Sequence, residues 1–305
     1  MKSSVKGVAL ITALITAGLI ATLAAQSLGQ RGRLLRQEQM MRQTSHRQWL
    51  VRNAFEWAAE RLREDGQGRA AVDHLAEPWA LAVQNMPLHR LMARVDPLIG
   101  IGSAATEDGP ITVSVSISDA QARLNLLNLL EGSAPSPTWM TVFTRLFELL
   151  GLPAEELDRL VQSLVRASAG TDPRFSGAAP LMPQRADDLS WLGLSPASLD
   201  ALSPYVVVLP GRLPVNLNTA GATVLQAVLD LPATAVLALL QRRQERPLTE
   251  LSETGLKEKV DASRHAVASQ FFEVAVRIES REQWALRGRA LFLRQGDKVL
   301  LLWRH

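Results

Sequence analysis

The chain has 305 residues, enough beyond any anchor for one sizeable or two modest domains. It has no cysteine, so its fold rests on a core or a metal rather than on disulfides. The formal net charge is +3 and the basicity is local: residues 1–65 hold ten Lys/Arg against five Asp/Glu, and the near-neutral remainder argues against a nucleic-acid-binding globular domain.

Residues 1–7 are a short leader carrying Lys2 and Lys6. From Val8 to Ala25 the chain is almost wholly apolar, softened by Thr12, Thr16, Gly18 and Thr22, and the next charge is Arg31. At about 1.5 Å per helical residue this run is long enough to span a ~30 Å hydrocarbon core. A secretory signal has a shorter apolar region followed by a small-x-small cleavage site. Here the small residue precedes the run, at the junction Lys6-Gly7-Val8. The leader thus resembles the class III signal of type IV pilins and type II secretion pseudopilins. The resemblance implies cleavage after Gly7 by a prepilin peptidase and a mature chain beginning at Val8; an uncleaved signal anchor is the other reading. Lys2 and Lys6 ahead of the span keep the amino end cytoplasmic, giving a single-pass inner-membrane protein with its bulk in the periplasm. Thr12 is the fifth residue after that junction, where the resemblance implies Glu. A carboxylate in a bilayer is costly and persists only for function. A subunit without it has less need of a partner above it, which suits an assembly role at a filament tip. A tolerated apolar-face residue is the other reading of Thr12.

Residues 31–64 contain no Pro and one glycine, Gly32, and their apolar positions recur at helical spacing. The membrane helix is expected to continue as a rod of about 55 residues, about 80 Å long, with an amphipathic outer half. Gly29 and Gly32 mark a place where it can melt, and Asp65-Gly66-Gln67-Gly68 ends it. Residues 72–80 read as a connector in which His74 is structural. Segments 88–95 and 111–118 read as strands joined by a hairpin loop; Ile111, Val113, Val115 and Ile117 alternate with polar residues. Helical patterns follow at 139–150 and 154–167, then a Gly/Pro/Ala-rich loop at 168–185. Another helix is capped by Ser195 with Pro196 in its first turn. Short strands are expected at 206–209 and 215–217, and helices at 220–229 and 233–244. Strands at 271–278, 285–294 and 299–303 close the chain, the last two joined at Gly296-Asp297, and Phe272, Val274, Val276 and Ile278 form the apolar face of the first. The fold class is α+β: a long N-terminal transmembrane/amphipathic helix packed on an antiparallel sheet, with a large mostly helical insertion. The boundaries are a leader at 1–7, a transmembrane helix at 8–30, its extension at 31–65, a head at 66–132 and 211–305, and the insertion at 133–210.

Three further blocks carry a wider resemblance. They are Val72-Asp73-His74-Leu75, the run from Ile117-Ser118-Asp119 through Gln121 to Asn125-Leu126, and Leu213-Pro214-Val215-Asn216-Leu217-Asn218-Thr219-Ala220. With the leader, their order and spacing over nearly the whole chain resemble the K-type minor pseudopilins of type II secretion systems. That resemblance implies a subunit that forms or caps the tip of a periplasmic pseudopilus and helps initiate its assembly. It implies other minor pseudopilins as partners in a heteromeric tip complex. Read from their own chemistry, Asp119, Asn125, Asn216 and Asn218 are scaffold residues at strand ends, where Asx side chains bond nearby backbone and fix turns. Thr219 is placed to cap a helix beginning at Ala220. The resemblance also implies calcium sites in the insertion, and here this sequence departs. Residues 167–173 offer one carboxylate, Asp172, with Asp187-Asp188 further on, whereas calcium takes six to eight oxygens. No metal and no cofactor is expected.

Two other classes are weighed on their own features. Val215 to Ala220, followed by two helices, resembles the helix-hairpin-helix domain of competence DNA receptors. Such hairpins bind phosphate through backbone N–H groups at a Gly-x-Gly turn. The turn here, Leu231-Pro232-Ala233-Thr234-Ala235, has no Gly, and the basic patch Arg242, Arg243, Arg246 is diluted by Glu245 and Glu250. For an enzyme, the five His are scattered and no Ser/His/Asp spacing, phosphate loop or metal motif is present. No catalytic residue is assigned.

Overall fold

The computed structural model describes residues 4–68, 72–95, 111–169, 180–256, 259–280 and 284–305. The expected hairpin loop at 96–110, Asp172 and most of the 168–185 loop lie outside them. The chain divides into two compact units, residues 1–53 and 54–305.

The first helix, α1 (Ser4–Gly66), is helical through Gly29 and Gly32, so the expected melted point is not formed. One glycine costs a helix only about 1 kcal/mol relative to Ala, too little to break it. Among the described residues no single helix is long and apolar enough to cross a membrane; the described apolar stretch of α1 is Ala13–Leu23. Within the unit 54–305, Ala54, Phe55, Ala58, Ala59 and Leu62 are buried on one helical face, and Phe55 meets Phe292 edge-on at 6.4 Å. The end of α1 passes so close to the 296 turn that a Cβ on Gly66 would lie 2.1 Å from the Gly296 carbonyl oxygen. Only glycine fits there.

Strand β1 (Val83–Pro87) leads into α2 (Leu88–Val95). The strand expected at 88–95 is therefore a helix. Leu88, Leu91, Met92 and Val95 fall at i, i+3, i+4 and i+7, which places them on one helical face rather than alternating across a strand. After β2 (Ile111–Asp119) the chain leaves the sheet. It makes two short strands, β3 (Leu124–Asn125) and β4 (Leu130–Glu131), and β5 (Ala134–Pro135) pairs back on β4. Helices α3 (Pro137–Leu150), α4 (Ala154–Ala169) and α5 (Pro196–Leu202) follow. Next come β6 (Val206–Val207), β7 (Val215–Asn216), α6 (Ala222–Leu229), α7 (Ala233–Glu245) and β8 (His265–Ala266). The sheet resumes with β9 (Phe271–Ser280), β10 (Ala285–Gln295) and β11 (Lys298–Arg304).

The main sheet is antiparallel, in the order β1-β2-β9-β10-β11. The two apolar stripes read from the sequence lie against each other in register: Val113 opposite Ile278, Val115 opposite Val276 and Ile117 opposite Val274, all buried. Residues 120–270 thus intervene between two neighbouring strands. Most of their core is one apolar cluster, while Ala120, Val207 and Leu209 pack with Phe271 and Leu291 of the sheet. Trp139, Val142, Phe143, Leu146 and Phe147 of α3 pack with Leu157, Leu160, Val161 and Leu164 of α4 and with Val224, Leu225 and Val228 of α6. Because α6 and α7 share that core, the helical part continues past residue 210 in packing terms. Ser195 caps α5 as expected, its Oγ accepting from the Ser198 N–H at 3.2 Å.

Candidate functional site

Where the chain leaves the sheet at Asp119 and returns at Phe271, the interior is polar. Asp119 is fully buried and accepts four hydrogen bonds. They come from the Gln121 N–H (2.7 Å), Asn216 Nδ2 (2.9 Å), the Thr219 hydroxyl (2.5 Å) and the Ser269 hydroxyl (2.6 Å). Burial pushes its pKa up to about 6, against the pull of the Ser269 and Thr219 hydroxyls and the Gln121 amide. Thr219 does not cap the next helix, whose N-cap is Gly221; its hydroxyl is spent on Asp119.

Asn216 uses both ends of its amide. Nδ2 donates to Asp119, to the Asp73 carbonyl (3.1 Å) and to Ser269 Oγ (3.0 Å), while Oδ1 accepts the Asn218 N–H at 3.0 Å. Asp73 in turn accepts the Ser269 N–H at 2.7 Å and pairs with Arg294, which also pairs with Asp65 and donates to the Ser269 carbonyl at 3.2 Å. The Arg294 guanidinium lies 4.6 Å from the Phe272 ring centroid. Gln121 closes the set, accepting the Gln270 N–H at 2.7 Å and donating to the Pro214 carbonyl at 3.1 Å.

Three other asparagines act as substitute strand partners. Asn125 both accepts from and donates to the backbone of Leu209, Asn128 does the same with Leu213, and Asn218 with Leu248. Each such pair needs a donor and an acceptor on one side chain, which Asn has and ionised Asp lacks. Asp119 faces only donors, and there the carboxylate is the right group. The scaffold role expected for Asp119, Asn125, Asn216 and Asn218 is thus visible atom by atom. Asp73 was legible only as part of a matching block. Gln121 was likewise legible only within a matching block, and Ser269 and Arg294 gave no signal in sequence, because their partners lie far away in the chain.

Asp65, Asp73 and Glu77 bring one carboxylate oxygen each within 4.8 Å of one another, a spacing that could hold an ion. The donor set is already engaged. Arg294 pairs with Asp65 and Asp73, and Glu77 accepts from the His74 N–H (2.9 Å) and Trp79 Nε1 (2.7 Å). Burial, then the nearby Glu77 charge, pushes the Asp65 pKa up to about 6 even though Arg294 pulls it down. In the insertion, Asp188 Oδ2 accepts the N–H groups of Gln184 and Arg185. Of the basic patch, Arg243 donates to the Leu217 and Ala220 carbonyls at 2.6 and 2.7 Å, and burial lowers its pKa to about 10. Arg246 lies 3.7 Å from Glu253, and Arg242 bonds the Glu253 carbonyl at 3.3 Å. These cations hold α7 to its surroundings. Gly7, Val8 and Thr12 have helical backbone in α1, and their side chains lie outside those described.

The chain matches the family model of type II secretion system protein K over residues 122–211, the stretch from the seam through the first helices. It is 26% identical over 307 residues to the type II secretion system protein K of Pseudomonas aeruginosa, covering 90% of this chain and 84% of that protein. Its fold is similar to a chain in the crystal structure of the GspK-GspI-GspJ complex of the enterotoxigenic Escherichia coli type 2 secretion system. The TM-score is 0.60 at 19% identity, covering 88% of this chain and 98% of that one. These similarities bear out the resemblance read from the sequence.

Proposed function

We propose that this chain is a minor pseudopilin of the type II secretion system, the K-type subunit that forms or caps the tip of the periplasmic pseudopilus and helps start its assembly. The observation that carries this reading is the polar seam. Its Asp119, Gln121 and Asn125 join a pilin-like sheet to a large helical part, and the protein K match begins at the same place. A broad helical part on one subunit hinders stacking of another above it. Function in this reading lies in surfaces rather than in catalysis.

The remaining assignments belong to the same proposal. The leader 1–7 is cut after Gly7 by prepilin peptidase, and the mature chain begins at Val8. Residues 8–30 anchor it in the inner membrane, and 31–65 extend the anchor helix toward the periplasmic head. Thr12 replaces an acid that a subunit beneath others would need. The partners are other minor pseudopilins, in keeping with the Escherichia coli GspK-GspI-GspJ complex to which the fold is similar. Amino-terminal sequencing of the membrane form tests the processing: Val8 at the terminus is expected, and an intact Met1 would refute it. Co-purification of the full chain with candidate minor pseudopilins tests the assembly. A chain that ignores them but binds duplex DNA with a steep salt dependence would favour the competence-receptor reading.

A further inference from the structure

The two edges of the sheet are built differently. Strand β1 is interrupted by a bulge between Val83 and Met86, where Asn85 has a φ of 50°, and it ends at Pro87, which has no N–H to offer. These are features that keep an edge from pairing. Strand β11 has no proline and no residue of positive φ, and its one irregularity is a register shift against Leu291 and Phe292 of β10 that leaves Leu302 without an opposite residue. Among the described residues it pairs with β10 alone, and Leu300, Leu301 and Leu302 in its middle are 51, 44 and 41% exposed. An apolar edge of this kind is a template for an added strand.

Charge identifies the occupant. Strand β11 reads Lys-Val-Leu-Leu-Leu-Trp-Arg, with an exposed cation at each end and no acid within it. A second copy paired antiparallel would bring the Lys298 end of each strand against the Arg304 end of the other, an unfavourable match. The Arg304 end also opens on a cleft of about 380 Å³ whose lining includes Arg123, Arg185, Arg289 and His305, with Glu273 the one acidic side chain among the described residues, already paired to Arg123 at 2.7 Å. We propose that β11 is the docking edge for an extended strand of a different protein, apolar in its middle and carrying carboxylates at both ends. If the chain is a pseudopilin, that strand belongs to a neighbouring subunit's head; the identity of the partner, though not the edge chemistry, rests on that reading.

The test uses the full chain in detergent micelles and two synthetic peptides, Glu-Val-Thr-Ile-Thr-Val-Glu and its counterpart with Lys at both ends. The readout is backbone amide exchange. The acidic peptide should slow the outward β11 amides about tenfold, as expected when a solvent-facing amide gains one hydrogen bond, and the basic peptide should not. The double variant Lys298→Glu/Arg304→Glu should reverse this preference, and Leu301→Lys should abolish protection while exchange in β9 stays unchanged. Equal protection by both peptides, none by either, or self-association through β11 without peptide would each overturn the proposal. None of these outcomes depends on whether the chain is processed after Gly7 or co-purifies with pseudopilins, so the two readings fail separately.

Discussion

Between the helices of residues 137–245 the interior is apolar, and Leu, Val and Phe side chains meet one another without direction. Where β2, β7 and β9 converge it is polar, and nearly every atom faces a specified partner: Asp119 with four donors, Asn216 with three acceptors, Arg294 between two carboxylates. The two interiors do different work. Apolar burial supplies stability in proportion to area and tolerates changes of shape. The seam fixes how the helical part sits on the sheet, because a buried polar group that loses its partner is costly. Asp119 and Ser269 stand at the two points where the chain leaves and re-enters the sheet, so one hydrogen bond between them holds both ends of the 120–270 excursion.

The largest expected effect comes from placing a charge in the apolar stripe of the sheet. Val274→Asp should leave the head unfolded by circular dichroism at 25 °C, since an unpaired buried carboxylate costs more than a typical domain has to spare. Near-native melting would refute the register described above. Removing the seam's cation is next. Arg294→Met should destabilise by about 3–5 kcal/mol in denaturant titrations, because Asp65 and Asp73 are left buried without a counter-charge. A loss below about 1 kcal/mol would reduce Arg294 to a surface-type ion pair.

A matched pair of near-isosteric substitutions sharpens the contrast. Asp119→Asn keeps the shape but turns a donor toward other donors, so it should cost about 2 kcal/mol or more. Leu146→Met in the helical core keeps volume and should cost less than about 1.5 kcal/mol. Equal losses would mean that the seam is held by packing alone.

The smallest effect is the pH dependence. The carboxyls of Asp65 and Asp119 are both raised from 3.8 to about 6 in the fold. Their contribution to stability is full below about pH 4 and is lost as pH rises through 6. Asp261 acts in the opposite sense. Its pKa is lowered by Ser263 and Arg264 against the cost of burial, so its contribution is lost as pH falls below the ordinary carboxylate range. The melting midpoint should therefore rise by a few degrees from pH 7.5 to 5 and fall below pH 4. Burial lowers the pKa of His265 and works against this rise below about pH 6.5, so a midpoint flat over pH 5–7.5 would mean that the two seam carboxyls contribute no more than that one imidazole.

What the sequence determined by itself is local and periodic. Alternation in 111–117 and 272–278 placed the two central strands and their buried faces, because a half-buried sheet allows one side chain in two to turn inward. Spacing in 139–147 and 157–164 placed α3 and α4 for the corresponding helical reason. The Asx residues at strand ends were legible as scaffold because short polar side chains have few other uses there. Tertiary structure decided the rest. Segment 88–95 is not part of that remainder, because the spacing of Leu88, Leu91, Met92 and Val95 is helical in the sequence itself and the strand reading missed it. Thr219 had a local role available as a cap, but Asp119, a hundred residues away in sequence, took its hydroxyl. Arg294 and Ser269 acquired their partners only when the chain closed β9 onto β2. Side-chain periodicity is written within a few residues, whereas a buried donor finds its acceptor only through the fold.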